Sequence, residues 1–280
     1  MKICIMSSNI NRVEERVCAW SLYDNGHDTA DIYSFNTTTG QLLDFEDNVL
    51  VTFDRIDELS GSTAFSMARF AVPEMLPDTP ILIMDPDTVA LQSLAPIESL
   101  TPVSCIGMRK AYDRDAWATS VMFFQRGVIF PSFDDILQLK EEFGYGTLLT
   151  FKPAVIHRLG IKVHGLSKNW NNFDRANPDT HLIHFTNLRT QPYTHDGHPL
   201  TALWIKKAIA ARAAGFISDD IIAQQKQQVL PFDLNRPALK SNWEIEGSSS
   251  VLDWPKQVIA DLKFHGVRRY FYNFVARDLK

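Results

Sequence analysis

The sequence predicts an α/β fold, a sheet flanked by helices with at least one crossover connection, and three observations carry that reading. The first 35 residues run through strand, loop, helix and strand patterns in the order of a crossover unit. Ile81-Leu82-Ile83-Met84 is apolar without alternation, as in a strand covered on both faces. "LTALWIKKAIAARAAG", residues 200–215, is an Ala-rich helical stretch that stops at Gly215.

The elements follow in order. "KICIM", residues 2–6, is the first strand, and Ser7-Ser8-Asn9 is a polar loop after it. Val13, Val17, Trp20 and Leu22 recur at helical spacing, with Gly26 as the stop. "TADIYSF", residues 29–35, is the second strand. "GSTAFSMARFAVPEML", residues 61–76, is helical in pattern, with Phe65, Met67, Phe70 and Met75 turned to the core. "PVSCIGM" and "SVMFFQR" are two further strands, joined by the polar loop "RKAYDRDAWAT". "FDDILQLKEEF", residues 133–143, is a helix whose first turn carries Asp134 and Asp135, where the dipole favours acids. "HLIHF", residues 181–185, is a late strand. One principal domain is expected over 1–215, and an extension of helices and loops over 216–280, with "EGSSS" at 246–250 as a flexible connector.

Composition bounds the rest. The chain has 280 residues, 45% hydrophobic and 22% charged, enough for one large core or two smaller ones. A net charge of -5 gives no general affinity for nucleic acid or acidic membrane. Cys4, Cys18 and Cys105 are widely spread, without a C-x-x-C, and read as reduced core cysteines of a cytoplasmic protein. The start "MKICIMSSN" is too short and polar for a signal peptide, and no apolar run approaches the ~20 residues of a membrane span.

The buried run ends in Asp85-Pro86-Asp87. Strand side chains repeat every second residue, so the two acids can point the same way. Like charges so close need a proton or a cation between them, and Pro86 helps to end the strand. Such a pair suits a hard divalent cation, with a solvated turn as the plainer alternative. In an open α/β sheet the ligand binds beyond the carboxyl ends of the strands, where Ser7-Ser8-Asn9 also lies. Asp113-Arg114-Asp115 has the same spacing, but no strand runs into it and Arg114 can satisfy both acids. His184 ends a strand pattern and offers a third ligand, or serves as a hydrogen-bonded structural residue. Imidazole beside two carboxylates favours manganese over magnesium or calcium. His181/His184 and His195/His198 make two H-x-x-H pairs that point weakly to zinc, without cysteine or a zinc spacing.

These residues resemble a family. Arg69-Phe70 and Val72-Pro73-Glu74-Met75-Leu76-Pro77 before "ILIMDPDTVALQSLAPI", then "SVMFFQ", then "NWNNF" at 169–173, then "IHFTNLRTQPY" and "HPLTALW", are similar in order to the motifs of family 8 glycosyltransferases over about residues 1–205. The resemblance implies a GT-A type, Rossmann-like, mixed but mainly parallel sheet flanked by helices, with a C-terminal extension. It implies a nucleotide-sugar donor, usually linked to UDP, and transfer with retention of configuration. By position it places Asp85, Asp87 and His184 on manganese, with magnesium as the second candidate, and Asp85 also near the ribose. Arg69 would lie beside the donor sugar or diphosphate, Ser7, Ser8 and Asn9 at the base pocket, and Ser120 facing the sugar.

The sequence also departs from the pattern. Ser8 replaces an acid of the base pocket, and Asn187 stands where the family has a glycine. The phosphate-binding lysine is missing, leaving Arg189 or Gln191 as substitutes of different geometry. The acidic element that faces the reacting carbon has no counterpart, and "GYGTLL" at 144–149 falls near it. Asp113, Asp115 and Asp134 are the candidates for that role.

The expected function is therefore a metal-dependent hexosyl- or pentosyl-transferase. The alternatives are a nucleotide-sugar-binding protein without catalysis and a metal-dependent phosphohydrolase. The acceptor class stays open among a saccharide, a lipid-linked saccharide, a protein and a modified nucleic acid. In residues 263–280, Phe264, Val267, Phe271, Phe274 and Val275 recur at helical spacing among Lys263, Arg268, Arg269, Arg277 and Lys280. That pattern suits a packed terminal helix, a peripheral contact with the inner membrane surface, or docking of a nucleic-acid acceptor.

Overall fold

The computed structural model describes residues 1–59, 65–78, 80–111, 115–187, 190–193 and 198–225. The connector at 246–250 and the tail at 263–280 lie outside the described residues. So do Asp113, Arg189 and His195.

Strand β1 (Lys2–Ser7) leads into helix α1 (Arg12–Asp24), which returns to β2 (Ile32–Asn36) parallel to β1. The expected crossover unit is present, although Thr29–Asp31 is a 3-10 turn before β2. Strands β3 (Gln41–Leu43) and β4 (Val49–Thr52) extend that edge as an antiparallel hairpin. Short helices α2 (Phe65–Ala68) and α3 (Val72–Met75) precede β5 (Ile81–Met84) and β6 (Thr88–Ala90). After α4 (Ile97–Leu100) come β7 (Cys105–Arg109) and β8 (Val121–Phe124). Helices α5 (Phe133–Phe143), α6 (Tyr145–Leu149) and α7 (Pro153–Leu159) lead to β9 (Lys162–Leu166). The chain closes with β10 (Asn172–Phe173), β11 (Leu182–His184), α8 (Thr201–Ala213) and α9 (Asp219–Gln225).

The large sheet has the order β4-β3-β2-β1-β5-β8-β7-β9. The pairings make β3 and β8 run against the other six strands, so the sheet is mixed and mainly parallel. A second sheet has the order β10-β11-β6. The period of two sorts each central strand between two cores. Cys4 and Met6 of β1, with Ile81 and Ile83 of β5, face one core; Ile3, Ile5, Leu82 and Met84 face the other. This two-sided burial is the reason β5 reads as an unbroken apolar run.

The single helix expected over 61–76 is divided. Pro73 at the start of α3 has no N–H, and its ring would meet the carbonyl of Arg69 in a continuous helix. Phe70 and Ala71 instead donate to the carbonyls of Met67 and Ala68, a tighter turn that sets Arg69 between the two helices. At α5 the expected acidic first turn is a capping box, in which Ser132 and Asp135 exchange hydrogen bonds.

Helices α8 and α9 pack on α1 and the second sheet, where Trp204, Ile217 and Ile222 are buried with Val13 and Val17. Residues 216–225 thus share a core with the preceding chain. All three cysteines are free; Cys4 and Cys18 are buried, and Cys105 is partly exposed. Among the described residues no helix is long and apolar enough to cross a membrane.

Candidate metal centre

The acid pair sits where the chain passes from one sheet to the other. The Asp85 N–H donates to the Ser120 carbonyl at 3.0 Å, carrying the β5/β8 ladder one residue past β5. Three residues later β6 begins, antiparallel to β11, with Thr88 opposite His184. The Phe185 N–H donates to the Asp87 carbonyl at 2.9 Å. The D-x-D is therefore the link between the sheets, and the register of the second sheet brings His184 beside it.

One ligand atom from each of Asp85, Asp87 and His184 lies within 4.8 Å of the others. His184 Nε2 is 3.1 Å from Asp87 Oδ1, yet that buried oxygen accepts no hydrogen bond. The two atoms lie close enough to serve as ligands of a common ion. The residue types agree with this, since two carboxylates and an imidazole suit a divalent cation of the manganese kind. Burial would lower the His184 imidazole, but Asp87 and Asp85 raise it above the ordinary histidine range. Burial and the Asp87 charge push the Asp85 carboxyl up, while Arg69 opposes them.

Arg69 is a buried partner of this site. Its Nη2 donates to both Asp85 oxygens and its Nη1 to Thr119 Oγ1 at 3.2 Å. A surface ion pair is excluded, because Arg69 is 4% exposed. Gln191 is buried as well, and its Nε2 donates to Asp87 Oδ2 at 3.0 Å and the Phe185 carbonyl at 2.9 Å. Both amide hydrogens are thereby turned inward, so Gln191 holds a carboxylate where the sequence suggested a phosphate contact. Asn171, which the sequence placed only within "NWNNF", accepts at Oδ1 from His184 Nδ1 at 3.2 Å and donates from Nδ2 to Ser120 Oγ at 3.2 Å.

In the β1 loop the two serine hydroxyls are engaged within the protein. The Ser7 hydroxyl donates to Glu15, and its carbonyl accepts from both the N–H and the hydroxyl of Thr37, so the whole residue is spent inside the protein. Ser8 Oγ donates to Asn11 Oδ1 at 2.7 Å and is also buried. Asn9 is the exposed member of the loop. The Asn187 N–H donates to Asp174 Oδ1 at 3.3 Å. Asp134 pairs with Arg55 at 2.6 Å in an exposed contact, and Asp115 lies exposed before β8. Neither is among the residues gathered at the centre. Among the described residues, His181 and His198 are not assembled with His184 as a ligand set. His181 stacks on Trp170 at 4.0 Å, and His198 faces Asp174 at 3.4 Å.

A group of buried charges on α1 was illegible in the sequence. Arg12 pairs with Glu15 at 2.6 Å and Asp47 at 2.5 Å, and Arg16 pairs with Asp47 at 2.6 Å. Glu14 accepts from Gln225 Nε2 at 2.6 Å, and burial pushes its carboxyl up to about 7.

No family model and no curated protein matches the sequence. The fold is similar to the galactosyltransferase LgtC, solved in complex with donor and acceptor sugar analogs, with a TM-score of 0.53, 13% identity and coverage of 80% of this chain and 100% of that one. It is also similar to the glycosyltransferase GlyE of Streptococcus pneumoniae TIGR4, at 0.54 and 12% identity over 81% of this chain and 63% of that one. The bifunctional glycosyltransferase WbbM aligns at 0.51 and 11% identity, and the chain spans 52% of its length. The chain has the GT-A fold of these glycosyltransferases, with a D-x-D at Asp85 and Asp87.

Proposed function

We propose that the protein is a metal-dependent glycosyltransferase. It takes a hexosyl or pentosyl group from a nucleoside-diphosphate sugar, UDP-linked before other bases, and transfers it with retention of configuration. One observation carries the reading: at the end of a central strand Asp85, Asp87 and His184 present converging ligand atoms, and one of them is a buried carboxylate oxygen without a hydrogen bond. The likeness in fold to LgtC, which was solved with donor and acceptor sugar analogs, supports a sugar donor.

Asp85, Asp87 and His184 would hold the cation, manganese before magnesium. A bound ion would supply Lewis-acid stabilisation of negative charge on the donor's phosphate groups. The chain's own residues supply the rest. Arg69 opposes the burial that pushes the Asp85 carboxyl up, and Thr119 and the Phe65 carbonyl orient that guanidinium. Asn9 and Ser120 stand on either side of the strand end, at the places for base and sugar. The acceptor is a saccharide, free or lipid-linked, a protein or a modified nucleic acid.

Incubation with UDP-, GDP-, ADP- and CDP-sugars and manganese tests the reading. The enzyme releases nucleoside diphosphate from at least one donor, and Asp87→Asn abolishes that release. Binding without release in the presence of varied acceptors would identify a binding protein. Phosphate release from simple esters would identify a phosphohydrolase.

A further inference from the structure

We propose that the side-chain amides of Asn171 and Gln191 are positioning groups for the metal centre, each holding one ligand with an unshared electron pair turned to the cation. The inference rests on the reading of Asp85, Asp87 and His184 as a metal site.

The two amides are matched chemically to what they hold. His184 must give up the proton on Nε2 to bind a metal, so it needs an acceptor at Nδ1. Asn171 Oδ1 stands there at 3.2 Å. The opposite orientation of that amide would present Nδ2 to the ring, move the ring proton to Nε2 and close the ligand position. Asn171 is 1% exposed and anchored on both sides. Its Nδ2 donates to Ser120 Oγ, and its carbonyl accepts from Arg109 Nη1 at 2.7 Å. Arg109 in turn lies 3.8 Å over the ring of Phe173, whose edge meets His184.

Asp87 needs the converse, a donor for the oxygen that turns away from the metal. Gln191 Nε2 supplies it to Oδ2, leaving Oδ1 as the oxygen beside His184 Nε2. The same nitrogen donates to the carbonyl of Phe185, the residue after His184, so Gln191 ties the two ligand-bearing segments together. Neither amide adds charge to a site whose balance depends on the cation.

The test uses the full chain with Mn2+ alone as the probe and follows the free ion by electron paramagnetic resonance. Asn171→Leu and Gln191→Leu should each weaken Mn2+ binding by about 10- to 100-fold. Asn171→Asp should keep the wild-type affinity, because a carboxylate accepts the same N–H. Wild-type affinity in both leucine variants would overturn the proposal, as would a loss in Asn171→Asp equal to that in Asn171→Leu. Melting temperatures of the metal-free variants separate a folding defect from a lost ligand, and Asn171→Asp, which keeps the side-chain volume and an acceptor for the ring, decides the case if the leucine variants fail to fold. Failure of wild-type protein to bind Mn2+ would count against the metal centre itself, whereas wild-type binding with unchanged leucine variants counts against the two amides alone.

Discussion

Arg69 Nη2 donates to both carboxylate oxygens of Asp85, at 3.0 and 3.1 Å, in a pair almost wholly removed from water. The guanidinium thereby opposes the two influences that would protonate Asp85, its burial and its neighbour Asp87. Each carboxylate oxygen carries further lone pairs, so the pair does not consume the capacity of Asp85 to meet a cation.

Removing the guanidinium leaves a buried carboxylate beside a second one. Arg69→Ala should cost the metal-free protein about 3–5 kcal/mol, the range for breaking a buried pair from one side. Arg69→Lys keeps the charge without the planar fork and should fall between the two. Urea unfolding checks this, and an unchanged midpoint in Arg69→Ala would show that Asp85 is already neutral.

Glu14 gives a pH dependence whose sign is fixed. Its folded carboxyl, at about 7, lies above the ordinary value of 4.5, so the folded state holds the proton more tightly. The contribution is fully present below the unfolded value and is lost as pH rises through 7, by up to about 3 kcal/mol. Glu14→Gln keeps an acceptor for Gln225 and should remove that slope. Unfolding of metal-free wild type and variant between about pH 5 and about pH 8 measures the difference. Parallel stability curves would refute the assignment.

Gly40 turns the chain from β2 into β3 at φ +69°, and a Cβ there would lie 2.2 Å from the Phe53 carbonyl oxygen. The Phe53 N–H donates to the Gly40 carbonyl at 2.7 Å, so the contact cannot open without losing that bond. Gly40→Ala should destabilise by more than about 2 kcal/mol, combining left-handed strain with a backbone clash. A melting temperature equal to wild type would show that the turn can relax.

The legible parts of the sequence were those where periodicity and burial coincide. Ile81 to Met84 is apolar throughout because it lies between two cores, and that context set Asp85-Pro86-Asp87 apart from Asp113-Arg114-Asp115. His184 was legible as the end of a strand. Strand β4 was not, because Val49–Thr52 is exposed along its length and leaves no burial pattern. The α1 charges were illegible for the opposite reason. Arg12, Glu15 and Arg16 resemble a solvated helix face, yet they are buried through pairing with each other and with Asp47, far away in sequence. Asn171 and Gln191 show the same limit, since an amide in a loop gains its role only from the group that tertiary structure sets against it.

The most direct measurement of the central claim is a calorimetric titration of nucleotide sugars, UDP-linked first, into wild-type protein and Asp87→Asn, each with and without Mn2+. Binding should require Mn2+ in the wild type and be lost in Asp87→Asn, whose metal-free melting temperature stays close to the wild-type value. Equal binding with and without Mn2+, or equal binding by the two proteins, would contradict a metal-held donor at Asp85, Asp87 and His184.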